Sequence, residues 1–227
     1  MIPRPVNPLV VALDVSDLDR AETLAAQLSG GAGMLKVGLE LFWANGPDAV
    51  RRVAPHGPVF VDSKLHDIPN TVERAAANIA RLGVAMLNVH ALGGEAMMAA
   101  AVRGAARGAD EAGVAAPLVL AVTVLSSLAG EEFASPASLA FEAREAGAGG
   151  VVVSGDDVET VRQVCGEEFC LVVPGVRPSG SNGHDQVRIL TPEEAVERGA
   201  DYLVVGRPIT ESGDPAGVAR SIISSVR

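Results

Sequence analysis

Short runs of aliphatic and β-branched residues alternate with Ala-rich amphipathic segments along nearly the whole chain. The apolar runs read as strands over Leu9–Asp14, Met34–Gly38, Val59–Lys64, Met86–His90, Leu118–Thr123, Gly150–Val153, Cys170–Pro174 and Tyr202–Gly206. Between them, Asp19–Leu28, Asn70–Leu82, Glu95–Arg107, Pro136–Ala146, Asp156–Cys165 and Thr191–Arg198 read as helices. Glu73, Arg74, Arg81 and Arg103 supply polar faces to these helices. The strands are apolar throughout rather than alternating, which is the pattern of a parallel sheet covered on the outside by helices. Eight such units predict an α/β chain folded as a (β/α)8 TIM barrel.

A doubly wound sheet is the competing layout. Against it, no Gly-x-Gly-x-x-Gly follows the first strand, which ends instead in Asp14. Gly30-Gly31-Ala32-Gly33 precedes the second strand and reads as a loop. No composition break or linker divides the chain, so residues 1–227 are expected to form a single domain. The polar run from Pro178 to Asp185 reads as a surface loop or a lid.

Composition narrows the partners. A 48% hydrophobic content over 227 residues is enough for a large core. The net charge of -10, with no basic tract, argues against nucleic acid as a main partner. A small anion remains admissible, because a local cluster can oppose the global charge. Cys165 and Cys170 form no disulfide framework, and no further Cys or His stands at metal-ligand spacing. The reading is a reducing compartment and no metal. Met1-Ile2-Pro3-Arg4-Pro5 lacks the apolar run of a signal peptide, and no stretch has membrane character. A soluble, cytoplasmic protein is expected.

The cations are distributed unevenly. Arginine occurs sixteen times and lysine twice, at Lys36 and Lys64. Lysine differs from arginine in carrying a compact charge whose proton can be transferred. Both lysines close apolar segments, Met34-Leu35-Lys36-Val37-Gly38 and Val59-Phe60-Val61-Asp62-Ser63-Lys64. In a barrel of this kind, reacting groups gather at the C-terminal ends of the strands. Asp14, Lys36, Asp62, Lys64, Asn88, His90, Thr123, Ser126, Ser127, Arg177, Gly206 and Arg207 all fall at or near such ends. Asp62 and Lys64, two apart on a strand, are expected to point the same way, with Asp67 in the loop beyond. Charges this close persist when they are paired or useful. Gly206 and Arg207 follow the last strand, where this fold commonly binds phosphate, and Arg177 and Gln186 bracket the glycine-serine loop opposite.

These residues resemble the orotidine 5'-phosphate decarboxylase family. Asp62-Ser63-Lys64-Leu65-His66-Asp67-Ile68-Pro69-Asn70-Thr71 is similar to that family's signature, Asp-x-Lys-x-x-Asp-Ile-x-x-Thr. The likeness continues through Ala12-Leu13-Asp14, Lys36–Phe42, Val89-His90-Ala91, Val122–Ser127, Pro174–Arg177, Asp185–Arg188 and Val204–Arg207, in the family's order and closest to its bacterial form. The resemblance implies that Asp14 and Lys36 contact the ribose hydroxyls, with Lys36 also in the charged network. Asp62 would face the orotate carboxylate, and Lys64 would donate the proton. Asp67 and Thr71 would reach across a homodimer interface into the partner's site. Ser126 would bond the pyrimidine edge, and Arg177, Gln186, Gly206 and Arg207 would hold the 5'-phosphate. No metal or organic cofactor is implied. Ser126 stands where relatives often carry Thr, and the stretch from Ser127 to Gly150 is short for a bacterial member.

Three other readings fit the barrel. A hexulose phosphate synthase or ribulose phosphate epimerase would use an enediolate and a metal. A Schiff-base aldolase would use Lys64 or Lys36 against a carbonyl. A barrel that only binds a phosphate ligand would use the same charges without turnover.

Overall fold

The computed structural model describes residues 5–124, 134–178 and 190–226. Eight parallel strands close on themselves in sequence order. They are β1 (Leu9–Ala12), β2 (Met34–Val37), β3 (Val59–Leu65), β4 (Met86–His90), β5 (Leu118–Val122), β6 (Gly150–Val152), β7 (Cys170–Pro174) and β8 (Tyr202–Val205). Pairing of Leu9 with Leu203 joins β1 to β8 and completes the ring. The barrel expected from the apolar pattern is the fold observed.

Helices cover the outside: α1 (Leu18–Gln27), α2 (Leu39–Asn45), α3 (Pro47–Val53), α4 (Pro69–Ala80), α5 (Glu95–Ala112), α6 (Pro136–Glu145), α7 (Val158–Cys165), α8 (Pro192–Glu197), α9 (Arg207–Thr210) and α10 (Pro215–Ser225). Their starts follow local chemistry. Asp17 caps α1 by accepting from the Arg20 N–H, and Thr191 with Glu194 forms a reciprocal capping box on α8. Proline opens α4, α6 and α10, where its missing N–H costs nothing. The α2–α3 pair, α9 and α10 are additions to the helices read from the sequence. No helix among the described residues is long and apolar enough to cross a membrane.

Alternation along each strand divides the apolar residues into two layers. Outward residues such as Leu9, Val11, Leu35, Val37, Leu87 and Val89 pack beneath the helices. Inward residues, among them Val10, Met34, Phe60, Met86, Leu120, Cys170 and Val172, fill the barrel. Both cysteines are free and buried, and burial pushes the Cys170 thiol up to about 12.

Two sets of contacts tie the outer helices to one another and to the barrel. On α5, a β-carbon at Gly104 would lie 2.1 Å from the Glu73 carbonyl oxygen, and one at Gly108 would lie 2.2 Å from that of Ala77. Only glycine permits this approach, which seats α5 against α4, the helix that follows Asp67. Arg107 and Arg103 reinforce it by pairing with Glu73 at 2.5 and 3.2 Å. At the start of β8, Arg162 of α7 engages all five guanidinium N–H groups. They go to the carbonyls of Gly166 and Phe169, twice to that of Gly199, and to Asp201 Oδ2 at 2.7 Å.

Candidate active site

The site is the next step up the barrel interior. One inward position beyond Met34, Phe60 and Met86 stand Lys36, Asp62 and Asn88, on three adjacent strands. They are only 7%, 9% and 1% exposed, so a polar layer lies directly on the apolar filling. Lys36 Nζ donates to Asp62 Oδ2 at 3.0 Å and to Asp14 Oδ1 at 3.1 Å. Lys64 Nζ donates to Asp62 Oδ1 at 2.5 Å. The result is a continuous chain, Asp14–Lys36–Asp62–Lys64, running from half-exposed at Asp14 through two buried members to the partly open Lys64.

Electrostatics keep this chain charged. Burial works against the ammonium of Lys36, but Asp62 and then Asp14 outweigh it and hold the proton above the ordinary lysine value. Burial likewise opposes the Asp62 carboxylate. The charges of Lys36 and Lys64, with hydrogen bonds from Lys64 and Asn88, bring its pKa down to about 2.

Lys64 reaches Asp62 by an irregular path rather than by regular strand alternation. Between Val61 and Leu65 the register of β3 shifts, so four residues of β3 advance against the two from Leu87 to Val89. Within that bulge Lys64 has φ 47°, the one non-glycine residue among those described with a positive φ. Such a conformation costs roughly 1–3 kcal/mol and persists only where its surroundings over-determine it. Here Asn88 does so. Its Oδ1 accepts from the Lys64 backbone N–H at 2.7 Å while its Nδ2 donates to Asp62 Oδ1 at 2.7 Å. Ser63 Oγ adds a bond to the Asn88 carbonyl at 2.8 Å. The sequence placed Asn88 among the polar strand ends but gave it no role; the structure makes it the residue that ties Lys64 to Asp62. Its inward position two residues after Met86 was the available signal.

The remaining expected residues take varied places. Asp67 is exposed and accepts from the neighbouring Ile68 N–H at 2.6 Å, so within one chain it does not join the lysine network. Thr71 is exposed on the first turn of α4. His90 is partly buried and lies against the His66 ring, centroids 5.5 Å apart. Burial, then His66 and Lys64, lower its basicity. Thr123 is buried, and its hydroxyl donates to the Val152 carbonyl at 3.1 Å, a structural bond between β5 and the end of β6. Arg177, just beyond β7, is buried, and its backbone N–H donates to the Leu190 carbonyl. Gly206 ends β8 and opens α9, with Arg207 exposed at the first helical position. A β-carbon on Gly206 would lie 3.8 Å from Asp14 Oδ2, so the end of β8 adjoins the charged chain. Ser126, Ser127 and Gln186 lie outside the described residues, as does nearly all of the 178–185 loop.

A closed (β/α)8 barrel with an alternating carboxylate–ammonium chain at the strand ends defines a class: barrel enzymes with a charged site at the mouth. Within that class, residues 7–222 match the model of the orotidine 5'-phosphate decarboxylase / HUMPS family, and the chain belongs to that family. It is 49% identical to an orotidine 5'-phosphate decarboxylase of Moorella thermoacetica over 97% of this chain and 92% of that protein. It is 50% identical to the enzyme of the same name from Paramagnetospirillum magneticum, over 96% and 97% of the two chains. Among solved structures, the orotidine 5'-phosphate decarboxylase of Lactobacillus acidophilus superposes with a TM-score of 0.83 at 33% identity, over 97% of this chain and 99% of that one.

Proposed function

We propose that this protein decarboxylates orotidine 5'-phosphate to uridine 5'-phosphate and CO2, the last step of de novo UMP synthesis. The observation that carries the reading is the Asp14–Lys36–Asp62–Lys64 chain, set on the barrel strands in a family whose named relatives catalyse this reaction.

Breaking the C6–carboxylate bond leaves its electron pair on C6, in the ring plane, where the π system cannot delocalise it. Catalysis then rests on charge placed where the pair develops. Lys64 supplies the charge as CO2 departs and transfers its proton to C6; the neutral amine left behind recovers a proton from solvent. Asp62 positions Lys64, a role supported by their 2.5 Å contact and by the Asn88 bond to the same oxygen. Lys36 and Asp14 hold the ribose hydroxyls. Ser126 bonds the pyrimidine edge, and Arg177, Gln186, Gly206 and Arg207 bind the 5'-phosphate. The phosphate is remote from the bond that breaks, and its binding energy is turned into rate.

The active form in this proposal is a homodimer of single-domain chains, residues 1–227, in the cytoplasm. Asp67 and Thr71 enter the partner's site. Both side chains are exposed in the single chain, which leaves them accessible to a second one. The reaction uses no metal or organic cofactor. The test is loss of orotidylate absorbance with purified, EDTA-treated protein and identification of the product. Conversion to uridine 5'-phosphate is expected. Turnover that requires an added metal, or none from folded protein, would redirect the assignment to a sugar-phosphate enzyme or to a binding-only barrel.

A further inference from the structure

We propose that Gly38 is a positioning residue, whose missing side chain lets the Lys36 ammonium sit between Asp14 and Asp62. Gly38 follows β2 and precedes α2, two residues beyond Lys36 on the same inward-facing side of the strand. A β-carbon built there would lie 2.8 Å from Lys36 Nζ and 2.9 Å from Asp14 Oδ1. No stable structure holds such distances, so any side chain at this position displaces one or both charged groups.

The conflict is confined to those two groups. Gly38 has φ -88° and ψ -177°, extended backbone that any residue adopts, so its glycine is not required by the turn. The crowded atoms are the free ends of flexible side chains, which swing aside at little cost to the fold. This contrasts with Gly104 and Gly108, where a β-carbon would meet rigid helix backbone. Gly38 therefore separates function from stability: alanine there leaves the barrel intact and moves the ammonium. Lys36 Nζ now bonds Asp14 and Asp62 at 3.1 and 3.0 Å, and a shift of a few tenths of an ångström to an ångström weakens both. Asp62 then loses one of the two cations that hold it, and with it the setting of Lys64.

The inference rests on the proposed roles of Lys36 and Asp14, and the experiment keeps the two apart. Steady-state turnover of orotidine 5'-phosphate, the inhibition constant of uridine 5'-phosphate and Tm are measured for the wild type, Gly38→Ala, Asp14→Ala, Lys36→Ala and the Gly38→Ala/Asp14→Ala double variant. Gly213→Ala serves as the control for replacing a glycine, since nothing lies within 4 Å of a β-carbon there. Gly38→Ala is expected to stay folded with at most a modest drop in Tm, because the lower entropy of its unfolded chain offsets part of the weakened Lys36 pairs, whereas the control keeps or raises Tm. Its kcat/KM should fall by about 100-fold, the size of loss that a misplacement near 1 Å produces. Product binding should weaken as well, because Lys36 and Asp14 hold the ribose. In the Asp14→Ala background the same alanine has one charged neighbour fewer, so its additional effect should shrink to a few-fold.

Wild-type kcat/KM in Gly38→Ala overturns the inference. So does an unfolded variant, or an activity loss that is undiminished when Asp14 is absent. If Asp14→Ala and Lys36→Ala both turn over normally, the proposed site itself is at fault.

Discussion

Two of the buried cations, Arg162 and Lys36, are different residues in different settings. At the start of β8, Arg162 meets Asp201 with all five of its N–H groups engaged, while Asp201 also accepts from the Leu171 N–H at 2.8 Å. At the mouth, Lys36 directs two of its three donors to carboxylates among the described residues, and Lys64 directs one. A fully engaged guanidinium cannot give up a proton and has no donor left for a ligand. An ammonium with open donors can do both. Charge burial alone therefore does not separate the structural pair from the proposed site; open donor capacity in a transferable cation does.

This contrast can be broken by mutation. Lys64→Ala should reduce kcat by more than about 10³-fold, since it removes both the proposed proton donor and the charge proposed to stabilise the carbanion. Tm should change little, and circular dichroism with steady-state kinetics reads both quantities. Arg162→Ala should do the reverse. Deleting one partner of a buried pair costs about 3–5 kcal/mol of stability, yet the folded fraction should keep wild-type kcat. Denaturant titration alongside kinetics separates the two outcomes, and a stable Arg162→Ala enzyme with lost turnover would reverse the assignment.

Arg207 offers an intermediate case, exposed and at the end of β8. Arg207→Ala should lower kcat/KM for orotidine 5'-phosphate by about 10- to 100-fold, the worth of a charge-assisted hydrogen bond. It should affect orotidine, which lacks the phosphate, far less. Equal losses on both substrates would remove Arg207 from phosphate binding.

The smallest effect lies in acid. The Asp62 pKa falls from 3.8 to about 2 on folding. Its contribution is thus fully present above the unfolded value and is lost as pH falls through about 2, a difference of about 2 kcal/mol. The raised Lys36 pKa acts at the other end, stabilising below its unfolded value and fading in strong alkali. Both contributions are complete near neutrality, so neither makes stability depend on pH there. Unfolding free energies of the wild type and Asp62→Asn should converge between about pH 4 and pH 2. A constant difference across that window would contradict the charged state assigned to Asp62.

The barrel was legible because parallel strands buried on both faces must be apolar throughout, so each strand announced itself and its polar end marked the mouth. Asp14, Lys36, Asp62 and Lys64 were found in this way, and the structure joins them. What sequence could not show depends on tertiary contacts. Asp14 lies two residues beyond β1, and Lys64 meets Asp62 through a bulge whose positive φ depends on a bond from β4. Asn88 looked like any polar residue at a strand end, because its two-sided bonding exists only once β3 and β4 are paired. Gly38 read as an ordinary strand-end glycine until the position of the Lys36 ammonium was known. Asp67 was grouped by spacing with the lysines, but its loop turns it to its own backbone.

The most direct test of the contrast is to place the cation of the structural pair at the proposed proton-donor position. Lys64→Arg keeps a positive charge beside Asp62 and removes the readily transferable proton. The kcat of this variant on orotidine 5'-phosphate, measured on folded protein, should collapse towards that of Lys64→Ala. Turnover near the wild-type rate would show that charge alone suffices at this position and would contradict the role of Lys64 as proton donor.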